Sequence, residues 1–109
     1  MDAVFAALAD GSRRSMLESL RAGPATVNDL AAGLPIARPG VSRHLRVLRE
    51  AGLVEVRPDA QRRLYRLRDE GLAGVDDWLE PYRQLWANRM DALHVEVARG
   101  KRGRRTGAR

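Results

Sequence analysis

The chain has 109 residues, 31% of them charged and 44% hydrophobic, with a formal net charge of +6 and no cysteine. A chain of this length makes one domain with a modest core, burying somewhat under ~70% of its unfolded surface. The absence of cysteine excludes disulfides and thiolate chemistry. The first long apolar run, Ala3 to Ala9, follows Asp2 and not a basic segment, so neither a secretory leader nor a membrane span is expected and the chain reads as cytoplasmic.

In chain order, Ala3, Val4, Phe5 and Leu8 form a first short apolar helix. Arg13 and Arg14 open a second helix, where each suits either a phosphate or a nearby acid. Thr26 then fits the cap of a short helix reaching Leu34, with Val27, Leu30 and Ala31 inward and Gly33-Leu34-Pro35 ending it. Next, Val41, Leu45 and Leu48 recur at spacings of four and three, which puts them on one face of a helix. Arg38, Ser42, Arg43, Arg46 and Arg49 take the other faces, and Pro39 fits the first turn, where its missing N–H is not needed. Two short helices joined by a tight turn make a helix-turn-helix.

After Ala51-Gly52 the period changes. Leu53 to Arg57 and Arg63 to Leu67 read as two strands, with Pro58-Asp59-Ala60-Gln61-Arg62 as the turn of a hairpin, or wing. Arg57, Arg62, Arg63, Arg66 and Arg68 on this wing can reach phosphates or a minor groove. A long amphipathic stretch from about Leu72 to Val97 follows, carrying Leu72, Val75, Leu79, Tyr82, Trp86, Met90, Leu93 and Val97 at helical spacing, and Pro81 is expected to break or kink it.

The net charge hides a strong polarity. Residues 38–68 hold nine arginines against three acids, residues 69–98 hold two arginines against seven acids, and residues 99–109 hold six cations and no acid. Residues 1–98 sum to zero, and their positive pole coincides with the helix-turn-helix and wing. The organisation expected is therefore a domain over residues 1–98 and a disordered basic tail over residues 99–109, which either strengthens DNA binding or only solubilises the end.

Several blocks then carry a family resemblance. Ala7-Leu8-Ala9-Asp10-Gly11-Ser12-Arg13-Arg14, Met16-Leu17-x-x-Leu20, Thr26-Val27-Asn28-Asp29-Leu30-Ala31, Val41-Ser42-Arg43-His44-Leu45-Arg46-Val47-Leu48-Arg49-Glu50-Ala51-Gly52-Leu53-Val54 and Arg63-Leu64-Tyr65-Arg66-Leu67 follow one another in order. Over about residues 3–97 the chain resembles the ArsR family of bacterial winged-helix transcriptional regulators. The resemblance implies a mainly α fold with a small β-hairpin, a homodimer built by terminal helices, operator DNA as partner, and a metal or other signal as effector.

The chain departs from the metal-responsive members, because Val27-Asn28-Asp29-Leu30 stands where they commonly carry a cysteine motif. Asp91, His94 and Glu96 make too thin a set for a second metal site, so no metal and no cofactor are expected, and the effector is left unassigned. His44 resembles a histidine common at that place and suits a phosphate contact or a packing role. Ala37, Arg38 and Gly40 stand where the family usually has serine, glutamine and alanine, which predicts a loose first turn of the recognition helix and guanine in preference to adenine opposite Arg38.

The candidate DNA-binding residues are Arg38, Ser42, Arg43, Arg46, Arg57, Arg62 and Arg63, and the candidate dimer residues are Phe5, Leu8, Trp78, Tyr82, Trp86, Met90 and Leu93. The same aromatic stripe also suits capping of the monomer core, or a ligand pocket at Trp78, Tyr82 and Trp86. Ser42 and His44 are two apart on a helix and do not face each other, so no nucleophile and base pair is formed and no enzymatic activity is expected. The function that follows is a dimeric repressor on an inverted repeat of duplex DNA. The alternative is a winged helix used for protein docking through its acidic 69–98 segment.

Overall fold

The computed structural model describes the backbone of residues 1–103 and the side chains of residues 1–94 and 96. The elements in order are α1 (Asp2–Leu8), α2 (Gly11–Leu20), α3 (Val27–Ala32), α4 (Arg38–Glu50), β1 (Val54–Asp59), β2 (Arg62–Leu67) and α5 (Asp69–Gly103). They fall into two compact units, Met1–Val75 and Asp76–Arg109. Residues 104–109 of the expected basic tail lie outside the described residues, as do the side chains of 97–103; the helical backbone of α5 itself continues to Gly103.

The core of the first unit is apolar throughout. Val4 and Ala7 from α1, Met16 and Leu20 from α2, Leu30 from α3, and Val41, Leu45 and Leu48 from α4 meet Leu53, Val54 and Tyr65 of the wing. Thr26 caps α3 as expected, in a reciprocal box: its Oγ1 accepts from Asp29 N–H at 3.1 Å, and Asp29 Oδ2 accepts from Thr26 N–H at 3.0 Å. The helix stops at Ala32, earlier than expected, because Gly33 is already its C-cap.

Gly52 ends α4 with a φ of +78°. Its N–H donates to Arg49 C=O at 3.0 Å, and Leu53 N–H donates to Leu48 C=O at 3.0 Å. This pair of bonds is the Schellman arrangement, which a left-handed glycine makes possible. It turns the chain directly into β1 with Leu53 buried.

The wing is an antiparallel pair in which Asp59 opposes Arg62 and Val54 opposes Leu67. Its turn is Ala60-Gln61 alone, shorter than the five residues expected from composition. Pro58 and Asp59 belong to β1 and Arg62 to β2. In a two-residue hairpin the closing pair is hydrogen bonded, so alternation puts Pro58 at a non-bonded pair where it breaks no rung. Tyr65 uses its outward backbone groups on Ala25, with N···O distances of 2.8 and 2.9 Å, which ties the wing to the segment before α3.

Of the break or kink expected at Pro81, the break is absent: α5 runs on through the proline. Arg83 reaches back across the proline and donates to Asp76 Oδ1, to the Asp76 carbonyl at 2.8 Å and to Glu80 Oε2 at 2.8 Å. The Asp76 and Glu80 carboxylates raise the Arg83 pKa above its ordinary value, in that order of importance. Among the described residues no helix is long and apolar enough to cross a membrane.

A β-carbon at Gly40 would lie 2.6 Å from Ile36 Cγ2, closer than side chains approach. Gly40→Ala, which on helix propensity alone stabilises by about 1 kcal/mol, will therefore give no gain in urea unfolding, and the gain will appear in an Ile36→Ala background, as the coupling term of a double-mutant cycle.

Asp10, Asp29 and Glu55 all titrate below their ordinary values, held down respectively by the Arg13 backbone N–H, the Thr26 backbone N–H and the Arg66 guanidinium. Lowered folded pKa values mean that the native state binds fewer protons than the unfolded chain. Stability is thus full above about pH 4.5 and falls as acid takes the pH through the ordinary values of 4.5 and 3.8 and below. Asp29→Asn should lower the urea midpoint at neutral pH and flatten this acid limb; a midpoint that rises on acidification contradicts the assignment.

Candidate nucleic-acid interface

The rotation of α4 sorts its side chains into three faces. Val41, Leu45 and Leu48 are wholly buried. At 100° per residue, Arg38, Ser42 and Arg49 share one flank, Arg43, Arg46 and Glu50 lie at the summit, and Gly40, His44 and Val47 share the other flank. Arg38, Ser42, Arg43, Arg46 and Arg49 are all exposed, as are Arg57, Arg62 and Arg63 on the wing.

Exposure does not make these arginines equivalent. Arg62 pairs with Asp59 at 2.7 Å, Arg57 with Glu55 at 3.6 Å, Arg66 with Glu55 and Arg68 with Glu70. Arg38, Arg43, Arg46, Arg49 and Arg63 form no ion pair among the described residues. Glu55 and Arg66 are half-buried, whereas the Arg62 and Arg68 pairs are exposed and each worth about 0.2–1 kcal/mol. They can exchange a carboxylate for a phosphate at small cost, whereas the five others meet an anion with nothing to release.

The first turn of α4 has no side-chain cap, Ala37 being its N-cap. Its Gly40 and Val41 N–H groups both donate to Ala37 C=O, at 2.9 and 3.1 Å. Ile36 lies over Gly40 and takes the room that a methyl group would need.

Arg13 and Arg14 take places that sequence reasoning did not find, and His44 takes the packing role it allowed. Arg13 Nε donates to Ala7 C=O at 2.7 Å and its Nη2 to Ala6 C=O at 3.1 Å, while Arg14 Nη1 donates to Leu8 C=O at 2.7 Å. Both arginines thus cap the last carbonyls of α1, where the sequence suggested phosphate or a neighbouring acid. Arg13 Nη1 also faces His44 Nδ1 at 3.2 Å, so the imidazole accepts through Nδ1 and is fixed against α2. Asp10 caps α2 by accepting from Arg13 N–H at 3.1 Å. The Asp10-to-Arg13 spacing, cap to third helical position, is the sequence signal that was available for that bond.

The candidate dimer residues divide. Leu8 packs against the core, while Phe5 is exposed on α1. On α5, Trp78, Tyr82, Trp86, Met90 and Leu93 are between 46% and 58% exposed, and Leu85, missed from the sequence, is equally open. The Trp78 and Tyr82 rings lie 4.9 Å apart, tilted by 40°. Among the described residues, no group of three or more His, Cys, Asp or Glu side chains could hold a metal ion.

Residues 8–57 match the family described as a helix-turn-helix domain. Over 50 residues the chain is 52% identical to HTH-type transcriptional regulator Rv2034 of Mycobacterium tuberculosis, covering 46% of this chain and 47% of that protein. Over 51 residues it is 39% identical to transcriptional repressor SdpR of Bacillus subtilis, covering 47% of this chain and 57% of that protein. The matched part thus spans about half the length of these two relatives.

Among solved structures, an ArsR family transcriptional regulator superposes with a TM-score of 0.70 at 32% identity, covering 79% of this chain and 89% of that one. The homodimeric winged helix-turn-helix DNA-binding domain of a possible ArsR-family transcriptional regulator from Mycobacterium bovis superposes with a TM-score of 0.62 at 29% identity, covering 76% of this chain and 77% of that one. The order α3–α4–wing and the likeness over most of the chain agree: this protein belongs to the ArsR family of transcriptional regulators.

Proposed function

We propose that the protein is a homodimeric repressor that binds an inverted-repeat operator in duplex DNA and acts in the cytoplasm. The observation that carries this is α4, whose apolar face is occupied by the core while Arg38, Arg43, Arg46 and Arg49 stand exposed and without acidic partners among the described residues. A major groove about 12 Å wide admits such a helix, and an arginine fork matches the two acceptors of guanine. In this reading Arg38, Ser42 and Arg43 lie nearest the bases and Arg46 nearer the backbone. Arg57, Arg62 and Arg63 reach phosphate or the adjacent minor groove, with guanine preferred opposite Arg38.

The dimer is supported by the exposed apolar faces of the terminal helices, Phe5 on α1 and Trp78, Tyr82, Leu85, Trp86, Met90 and Leu93 on α5. Large apolar side chains exposed in such numbers on so small a chain mark a contact surface. The homodimeric relative points the same way, and the likeness to the repressor SdpR supports the repressor reading. Two-fold symmetry then sets the half-sites about 10 base pairs, or a multiple, apart.

Binding of the purified protein to its own upstream DNA should exceed binding to scrambled DNA of equal length by about 10³ or more. Arg43→Ala and Arg46→Ala should each cost roughly 1–3 kcal/mol of operator affinity without disturbing the dimer. Equal affinity for both DNAs would overturn the operator reading. Arg63→Gln should weaken binding more than Arg62→Gln, since Arg62 must first leave Asp59. Trp86→Glu should yield a folded monomer in sedimentation, with unchanged circular dichroism; an intact dimer removes α5 from the interface.

A further inference from the structure

An open groove of about 470 Å³ runs between the second half of α4 and the base of the wing. Arg46, Arg49 and Glu50 line it from the helix, and Val54, Val56 and Arg68 line it from the wing and the segment that follows. It has room for a phosphodiester together with water, each molecule of which takes about 30 Å³.

What belongs in this groove follows from the shape of DNA, on the reading that the chain binds duplex DNA. A major groove and its neighbouring minor groove are separated by one sugar-phosphate strand. If α4 lies in the first and the wing tip reaches the second, that strand has to cross the surface between α4 and β1. The groove occupies that surface.

Its charges are arranged accordingly. Arg46 and Arg49 have no ion pair among the described residues, and Arg68 is engaged by Glu70, an exposed acid it can leave. Glu55 also lines the groove, but its carboxylate is already held by Arg66 and Arg57. Glu50 differs: it is exposed and has no such partner among the described residues.

We infer that this groove seats a backbone phosphate of the strand between the two DNA grooves, with Arg49 and Arg68 as phosphate ligands and Glu50 as a brake. The Glu50 carboxylate repels every phosphate alike, so it holds down the affinity that all duplexes share and leaves the base contacts of Arg38, Ser42 and Arg43 to decide the site.

The test measures affinity across salt concentrations for operator and scrambled duplexes. It compares wild type with Arg49→Gln, Arg68→Gln, Glu50→Gln and, as a control of equal charge change outside the groove, Arg21→Gln. Arg49→Gln and Arg68→Gln should weaken both duplexes by a similar factor of roughly ten, and reduce the salt slope by about 0.9 for each phosphate no longer neutralised. Glu50→Gln should strengthen both by a similar factor, with a gain that fades as salt rises. Arg21→Gln should leave the slope unchanged.

Unaltered slopes in Arg49→Gln and Arg68→Gln, weaker binding by Glu50→Gln, or an equal effect of Arg21→Gln would overturn the inference. A rise in Tm with inorganic phosphate at constant ionic strength that Arg49→Gln abolishes, with an unaltered DNA slope, would assign the groove to small anions and also overturn it. The two readings fail separately. Wild type that binds both duplexes alike while Arg49→Gln still flattens the slope removes the operator and keeps the groove. Wild type that prefers the operator with an unaltered Arg49→Gln slope removes the groove alone.

Discussion

Val41, Leu45 and Leu48 fix the rotation of α4 about its own axis, and through it the direction of every arginine the helix carries. All three are wholly buried; turning the helix by one residue's 100° in one sense would bring Ser42, Arg46 and Arg49 against the core, and in the other would bring Gly40, His44 and Val47 there. Burying an unpaired guanidinium costs far more than the apolar contacts it would replace. The core therefore decides which side chains face outward. An interface built on a loop would lack this constraint; here the aim of Arg43 and Arg46 is set by the same contacts that keep the domain folded.

The constraint is passed to the wing within a few residues. Leu48 is both the last buried side chain of α4 and the carbonyl that receives Leu53 N–H, so the helix end and the start of β1 are set by one residue. Gly52 supplies the left-handed turn that this needs. The Tyr65 backbone then ties the far strand to Ala25, at the entrance to α3. Helix-turn-helix and wing are thus joined at both ends.

The apolar spacing of α4, the Thr26 cap, the Gly52 stop and the exposure of the seven candidate DNA-binding residues were legible in the sequence, because each follows from residue types and spacings within a few positions of one another. The rest depended on register or on distant contacts. Pro58 and Asp59 have turn composition, yet the hairpin closes on Asp59 and Arg62 because alternation lets Pro58 sit in a strand. Glu55 lies opposite Arg66, a pairing that exists only once the register is known, so the division of the arginines into paired and unpaired sets was hidden. α5 runs through Pro81 with Arg83 bound to an acid seven residues earlier, a spacing that helical pair rules do not cover. Capping of α1 by Arg13 and Arg14 needed the tertiary approach of two helices.

That last arrangement constrains how a signal can travel. One guanidinium holds the carbonyls of Ala6 and Ala7 at the end of α1 and, through Nη1, the imidazole in the middle of α4. The position of α1 and the rotamer of His44 are therefore not independent variables. A displacement of α1 must either carry Arg13 along and leave His44 without its donor, or strip the helix end of two hydrogen bonds. Both outcomes raise the energy of the moved state, so the fork acts as a latch between the terminal helix and the centre of α4.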